Sequence, residues 1–356
     1  MYRNRNINPD TTLLDALKKM DSLCQKLLII EEQDAFIGLL SAGDIQRAII
    51  KGISLNGKVS SILRKEIRVA RPDDEFESIK QMMLDYRMEL CPLIGSNQKI
   101  LDVYYWEDLF LEQKPWIAKK FNIPVVIMAG GKGSRLKPLT NVLPKPLIPI
   151  GDKTILEDIL ELFSMHGCDK YYVSINYKAE LIKYYINSLS LPYKIMFMEE
   201  MKPLGTAGSL SLLKGKIDQT FFVTNCDILI KHDYSEILDF HKEQENEITI
   251  VSAIKYFPVK YGTIETGDNG HLINLIEKPE LTFQINSGMY IFEPHLIDEI
   301  SSDENMDITD FIMMLKQKNH RIGVYPVSQS SWTDIGDWKV YLSVLEKSSS
   351  QTRSSY

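Results

Sequence analysis

No two of the four cysteines, Cys24, Cys91, Cys168 and Cys226, stand at Cys-x-x-Cys spacing, so a structural zinc site has little support and reduced thiols are expected. No apolar run approaches the ~18 residues needed to cross a bilayer, and no membrane partner is expected. The opening segment, MYRNRNINPDTTLLDALKKM, carries charge throughout and lacks the apolar centre of a secretory signal, so the cytoplasm is the expected compartment. Positive charge is not in excess either. Lys plus Arg number 41 against 48 Asp plus Glu, a formal charge of −7, which gives no general attraction to nucleic acid and leaves room only for a local basic pocket. What remains is a globular composition, 44% apolar and 25% charged, over 356 residues, enough for two or three cored domains.

The first third of the chain repeats. INPDTTLLDALKKM begins at Ile7 and VARPDDEFESIKQM at Val69, each a Pro-Asp followed by a helix-like pattern. A strand-like segment follows in each, KLLII (26–30) and ELCPLI (89–94), then a turn, EEQDA or GSNQK. A second strand then runs into an aspartate and a helix, FIGLLSAGDIQRAI against ILDVYYWEDLF. Pro9 and Pro72 are 63 residues apart, and Asp44 and Asp108 are 64 apart. Repetition at this period implies two like units, each too small to bury much alone and therefore packed together.

This order resembles a tandem pair of CBS domains over residues 1–112, with halves at 1–57 and 58–112. The resemblance implies a cleft for adenine nucleotides or related ligands, with a Ser or Thr three residues before an Asp that meets ribose. Ser41 and Asp44 match in the first half. The second half offers Tyr105 and Asp108, a bulky ring in place of the small hydroxyl, which implies one site rather than two. A module that only packs or dimerises is the other reading.

Charged and proline-bearing residues at 113–122 read as a linker. Strands and helices then alternate: strands at 123–128, 170–175, 193–198, 219–229 and 247–254, with helices near 153–166, 178–189, 205–213 and 233–245. This is an open, mostly parallel, Rossmann-like α/β sheet covered on both faces, and ligand is expected beyond the carboxyl ends of its strands. The transferase-like domain is expected over 123–345, with a polar tail at 346–356.

The segment VVIMAGGKGSRLKPLTNVLPKP (125–146) carries the chemistry. It is not a Walker loop, since Lys132 is followed by Gly133 rather than Ser or Thr, and it is not GxGxxG, since Leu136 occupies the third glycine position. Pro138 interrupts any immediate helix. A strand ending in glycines offers a nest of backbone N–H groups for an anion, and Arg135 and Lys145 add positive charge.

AGGKGSRLKPLTNVLPKPLIPIGDKTILE resembles the signature of the sugar-1-phosphate nucleotidyltransferases, and EEMKPLGTAGSL, VTNCDIL, YGTIE, IEKP, INSGMYIFEP and WTDIGDW follow in the family's order through 123–345. The resemblance implies a GT-A-like fold that makes nucleotide sugars and pyrophosphate from an NTP and a sugar 1-phosphate. It implies that Ala129, Gly130, Gly131 and Gly133 shape the triphosphate cradle and that Arg135 meets the leaving phosphates. Lys145 is placed near the α-phosphate and Lys278 on the sugar phosphate, while Asp227 and Asp334 are the ligands of Mg2+. Gly205 follows the base-reading residue, and Gly262, Glu277 and Asn286 touch the sugar. Cys226 departs from the family's glycine before the first aspartate, and Asp337 fits a turn or cap better than a ligand.

Glu200 corresponds to the position that meets the base. A carboxylate accepts from the two adjacent donors of guanine, whereas uracil or thymine suits an amide, so GTP is the expected nucleotide. Two CBS-like units ahead of such a domain resemble bacterial glucosamine-1-phosphate guanylyltransferases of the legionaminic acid route, which makes glucosamine 1-phosphate the expected acceptor. Mannose-1-phosphate guanylyltransferases and the enzymes of heptose phosphates share the catalytic motifs. A homo-oligomer and a regulatory nucleotide at the CBS module are further expectations. A binding protein that has lost turnover is the rival class, and the intact set Arg135, Lys145, Asp227, Lys278 and Asp334 argues against it.

Overall fold

A computed structural model describes residues 2–64, 66–86, 88–110, 119–302 and 304–353. The chain divides into two compact units, Met1–Ile117 and Ala118–Tyr356.

In the first unit, strand β1 (Asn6–Ile7) precedes helix α1 (Leu13–Leu23), strands β2 (Leu27–Glu32) and β3 (Ala35–Ser41), and helix α2 (Ala42–Ile50). The pattern returns as α3 (Phe76–Tyr86), β4 (Leu90–Ile94), β5 (Ile100–Tyr105) and the short α4 (Trp106–Leu109). β1, β2 and β3 make one small sheet, and β4 with β5 makes another. Ile29 and Phe36 from the first pack with Leu90, Ile94, Ile100 and Val103 from the second. An antiparallel bridge from Ala35 to Lys99 joins the two pairs, so the halves share one core, as their size requires. They end differently. Ser41 caps α2, whereas a tyrosine ring at 105 offers no oxygen at Cβ for that bond, and α4 has a single turn.

In the second unit, β6 (Val125–Met128) leads through α5 (Leu139–Val142), β7 (Pro149–Ile150) and β8 (Lys153–Thr154) into α6 (Ile155–Ser164). Thr154 and Glu157 form a capping box, and Ile155, Leu156, Ile159, Leu160 and Phe163 form the buried stripe that fixes α6 as a helix. Next come β9 (Lys170–Ile175), α7 (Ala179–Ser188), β10 (Lys194–Glu199), α8 (Gly205–Gly208), β11 (Phe221–Asn225), β12 (Ile228–Ile230), α9 (Tyr234–Glu243) and β13 (Ile248–Pro258). β14 (Thr263–Thr266) and β15 (Leu272–Ile276) form a two-stranded ribbon. β16 (Glu280–Phe292), α10 (Ile308–Gln317), β17 (Ile322–Val327), β18 (Trp332–Asp334) and α11 (Trp338–Arg353) complete the unit.

The main sheet runs β10-β9-β6-β11-β16-β13-β17. Only β16 is antiparallel to its neighbours. The chain builds outward from β6 to β9 and β10, then returns to the other side of β6 with β11. Strand order therefore reverses between β6 and β11, and the carboxyl ends of strands at such a reversal are the usual ligand position in these sheets.

Three expectations change. The strand expected at 219–229 divides into β11, in the main sheet, and β12, which pairs with β18. The tail from 346 is helical, because α11 continues to Arg353; residues 354–356 lie outside the described residues. Of the linker expected at 113–122, residues 113–118 lie outside the described residues. The remainder belongs to the second unit: Phe121 donates its N–H to the His166 carbonyl at 2.7 Å and stacks on the His166 ring. Among the described residues, no helix is long and apolar enough to cross a membrane.

At Gly205 and Gly208 the chain packs on the segment 304–307 with no room for a side chain. Gly205 has φ +74°, and a Cβ there would sit 2.5 Å from the Met306 carbonyl oxygen. A Cβ on Gly208 would sit 2.4 Å from the Glu304 carbonyl oxygen. Gly205→Ala and Gly208→Ala are each expected to destabilise the protein by about 1–3 kcal/mol. Melting should fall by about 2–4 °C per kcal/mol for a unit of this size. Gly131→Ala, facing open space, is expected to melt as the parent does.

Candidate active site

β6 is buried along its whole length and ends at Met128; the N–H of Ala129, next in the chain, bonds the Ser174 carbonyl of β9 at 2.9 Å. The glycines then let the chain pass close to other groups. A Cβ on Gly130 would lie 2.9 Å from Glu200 Oε1. Gly133 is left-handed, φ +62°, and a Cβ there would meet Thr140 Cγ2 at 2.8 Å and Lys145 Cβ at 3.2 Å. Gly131 faces open space. The loop is therefore pressed onto the stem of Lys145 at one point and open to a ligand at another. A left-handed residue within such a turn is the backbone form that cradles anions.

Parallel pairing of Asn225 with Met128 brings the end of β11 beside the glycine loop. Cys226 and Asp227 follow immediately. The antiparallel pairing of Ile228 with Asp334, and the 2.8 Å bond from Ile335 N–H to the Asp227 carbonyl, set Asp334 next to Asp227 although the two are far apart in the chain. Lys145 Nζ donates to Asp227 Oδ2, and both side chains are only 11% exposed. Burial, then the charge of Asp227, pushes the Asp334 carboxyl up; Lys145 and Arg135 pull it partly back. Asp334 Oδ1 is buried and, among the described residues, has no hydrogen-bond partner.

That orphaned oxygen beside a second carboxylate is the donor set of a hard divalent cation, and the residues fit Mg2+ held by Asp227 and Asp334. Gly336 completes the cluster. A Cβ there would fall 2.5 Å from Asp334 Oδ1 and 2.9 Å from Arg135 Nη2, so a glycine leaves room for both the carboxylate and the guanidinium. Gly336 lies inside the WTDIGDW motif, yet sequence reasoning missed it, because the two partners that demand it come from another part of the chain. The departure at Cys226 is accommodated in the interior: burial, then the adjacent Asp227 charge, pushes its thiol up to about 12. Asp337 caps α11, accepting the Val340 N–H at 3.0 Å, as its sequence position suggests.

Glu200 is buried at the carboxyl end of β10. Ser174 Oγ donates to its Oε1, and the Leu204 N–H donates to Oε2 at 3.1 Å, which leaves acceptor capacity on both oxygens. Asn286 lies at a bulge where Val251 pairs with Met289 but Ser252 with Asn286. Its amide donates to Tyr290 Oη at 2.8 Å, and its Oδ1 accepts the Gly288 N–H. Gly288 in turn approaches Asn225, so Asn286 is set near the end of β11. Gly262, Glu277 and Lys278 form a second group at the ends of the β14–β15 ribbon. A Cβ on Gly262 would lie 2.9 Å from Glu277 Oε2, and Lys278 has φ +46°, an uncommon conformation for lysine.

In the first unit, the pair expected to meet ribose is already engaged. Asp44 Oδ2 accepts the Ser41 N–H at 2.8 Å and the Ser41 hydroxyl at 2.7 Å. Its Oδ1 accepts Arg47 at 2.6 Å and Arg64 at 2.7 Å. Burial alone would raise the Asp44 pKa, but Arg64 and Ser41 outweigh it and hold the carboxyl below its ordinary value. Ser41 and Asp44 thus serve as a capping box, and a ribose at Asp44 has to displace an arginine. Asp108 is on α4, and its side chain lies outside the described residues.

The family model described as nucleotidyl transferase matches residues 124–351, and that described as CBS domain matches 6–51. Mannose-1-phosphate guanylyltransferase catalytic subunit beta of Drosophila melanogaster is 34% identical over 226 residues, 61% of this chain and 60% of that protein. UTP–glucose-1-phosphate uridylyltransferase of Synechocystis sp. is 33% identical over 248 residues, 62% of this chain and 63% of that protein. The chain thus matches about three fifths of the length of these relatives. The crystal structure of HddC from Yersinia pseudotuberculosis superposes with a TM-score of 0.51 at 27% identity, covering 63% of this chain and 99% of that one.

The charge arithmetic of the cluster gives a test. Lys145→Ala leaves the buried Asp227 beside Asp334 without its counter-charge and is expected to destabilise the fold by about 3 kcal/mol or more. Mg2+ should restore part of that stability by replacing the lost charge. The melting temperature of the variant is expected to rise with Mg2+ by more than that of the parent; an equal rise would count against a cation at this position.

Proposed function

The chain belongs to the nucleotidyl transferase family, and from that premise we propose that it transfers a nucleoside monophosphate from an NTP to a sugar 1-phosphate and releases pyrophosphate. The observation that carries this reading is the meeting of Arg135, Lys145, Asp227 and Asp334 beside an open glycine loop at the sheet's switch point. Simple binding of a nucleotide does not require all four.

In this reading an oxygen of the sugar phosphate forms a bond to the α-phosphorus while the bond to the β-phosphate oxygen breaks, and pyrophosphate leaves with that electron pair. The work of the protein is positioning and charge neutralisation. The glycine turn holds the triphosphate, Arg135 spans oxygens of the leaving phosphates, and Lys145 steadies the α-phosphate. Lys278 binds the sugar phosphate, with Gly262, Glu277 and Asn286 around the sugar. Mg2+ on Asp227 and Asp334 supplies neutralisation of the phosphate charge when bound.

GTP is the proposed nucleotide. Support comes from the buried Glu200 carboxylate beside Gly130, whose free acceptor capacity suits the two adjacent N–H donors of guanine. Glucosamine 1-phosphate, feeding the legionaminic acid route in the cytoplasm, is the proposed acceptor, on the strength of the CBS-first domain order. Mannose 1-phosphate is the second reading, favoured by the similarity to the Drosophila guanylyltransferase. A homo-oligomer and a nucleotide bound to the CBS-like unit complete the proposal. Arg47 and Arg64, both more than half exposed, offer the charge that its phosphates need.

Pyrophosphate release from each NTP against a set of sugar 1-phosphates tests the reaction, and GTP with glucosamine 1-phosphate is expected to give the highest kcat/KM. Turnover to nucleoside diphosphate and inorganic phosphate would contradict it. Asp227→Asn, Asp334→Asn and Gly336→Ala are each expected to lose about tenfold or more in rate with the fold retained. Glu200→Gln is expected to shift the GTP-to-UTP ratio of kcat/KM by about 10- to 100-fold, the scale of one mispaired buried donor. An unchanged ratio would assign base reading to another group.

A further inference from the structure

Three metal-binding side chains meet far from the glycine loop, and nothing in the proposed reaction uses them. Glu247 immediately precedes β13, His295 lies on the 3-10 turn Pro294–Glu299 after β16, and His320 lies between α10 and β17. Their ligand atoms all fall within 4.8 Å of one another. His295 Nε2 is 2.8 Å, and His320 Nδ1 2.9 Å, from the same carboxylate oxygen, Glu247 Oε1. The other oxygen, Oε2, accepts the Arg321 N–H at 2.9 Å and is thereby held in place.

The backbone fixes this arrangement. The Glu247 N–H donates to the Arg321 carbonyl at 2.8 Å, and the Glu293 N–H donates to the Glu247 carbonyl at 2.9 Å. Glu247 is therefore tied to the neighbours of both histidines. His320 enters after the left-handed Asn319, with its N–H bonded to the Leu315 carbonyl at 3.1 Å. The nearby cations have other partners: Arg321 pairs with Glu245 at 2.8 Å and Lys318 with Glu299 at 2.5 Å.

We propose that Glu247, His295 and His320 form a binding site for a divalent transition-metal ion, with Zn2+ as the representative occupant, at the end of the main sheet opposite the glycine loop. Two imidazoles and one carboxylate make a three-ligand set with a position left for water. Nitrogen donors favour zinc, cobalt, nickel or copper over magnesium, so this site and the Asp227–Asp334 pair sort ions by donor type. Donors at ~2.0–2.2 Å from zinc stand about 3–3.5 Å apart. The three are therefore close to a binding geometry already, and His295, 56% exposed, has room to adjust. Phe292 pairs with both Phe221 and Ile248, which puts the trio at the start of β11. Asp227 lies beyond the far end of that strand, about 20 Å away at the rise of an extended chain. An ion here clamps the strand ends of β13, β16 and β17 rather than entering the reaction.

The test uses the full-length protein, freed of metal by a chelator and kept in excess Mg2+ so that the two aspartates are occupied. A Cys24→Ser background removes the exposed thiol from the count. Titration with Zn2+ against a chromogenic chelator is expected to give one equivalent per chain, together with a rise in melting temperature. His295→Ala and His320→Ala are each expected to weaken that binding by at least about tenfold and to abolish the thermal rise. Co2+ should give a visible absorption band in the parent that both variants lack. Melting without metal shows that the variants fold, and His295, being exposed, is the substitution least able to disturb the core. No binding under these conditions, or equal Zn2+ affinity and equal Co2+ spectra in parent and variants, would overturn the proposal and leave the trio a hydrogen-bonded cluster only.

Discussion

The carboxylates of Asp227 and Asp334 are held side by side, one buried and the other half-buried, and much of the second unit can be understood as what that costs and what offsets it. Like charges at such a position raise each other's energy, and burial adds to the penalty. Lys145 answers by pairing with Asp227 in a buried contact, and Arg135 answers from the glycine loop. One oxygen, Asp334 Oδ1, is left unsatisfied. A protein that needed only stability would replace this group with apolar side chains. Retaining it makes sense when cation and phosphates complete the charge balance.

The topology delivers this cluster with few residues. Because β11 returns to the side of β6 away from β9, the glycine loop and Asp227 emerge next to one another at a strand-order reversal. The short β12·β18 pair then carries Asp334 into register. Glycines appear where two backbones or a backbone and a functional group must nearly touch: Gly133 on the Lys145 stem, Gly130 against Glu200, Gly336 between Arg135 and Asp334. A Cβ at any of the three would force a neighbouring group to shift, and Gly133 alone among them also has a left-handed backbone.

Much of this was legible in the sequence, and the reasons are local. β9 occupies the expected 170–175, because KYYVSI is a continuous apolar and aromatic run between turn residues. The repeat in the first unit was visible because both halves keep the same order of helix, strand, turn and strand. The parts that were not legible depend on contacts between distant segments. No periodicity marks the antiparallel insertion of β16, the pairing of Ile228 with Asp334 or the need for Gly336. Ser41 and Asp44 fit two readings at once. A Ser-x-x-Asp spacing before a helix is also a capping box, and in this chain the cap, with Arg47 and Arg64, occupies the carboxylate. The polar composition from 346 onward suggested the end of the fold, but polar residues can continue a helix that has already been nucleated, as α11 does.

The central claim is that Asp227 and Asp334 share one divalent ion at the phosphates of a bound nucleotide. A crystal structure of the protein with GTP and Mn2+ in place of Mg2+, with the ion located by anomalous scattering, tests it most directly. The account predicts a peak bridging the two carboxylates, with Asp334 Oδ1 among its ligands and the triphosphate between the glycine loop, Arg135 and Lys145. A peak elsewhere, with Asp334 Oδ1 still without a ligand while nucleotide fills the site, would contradict it.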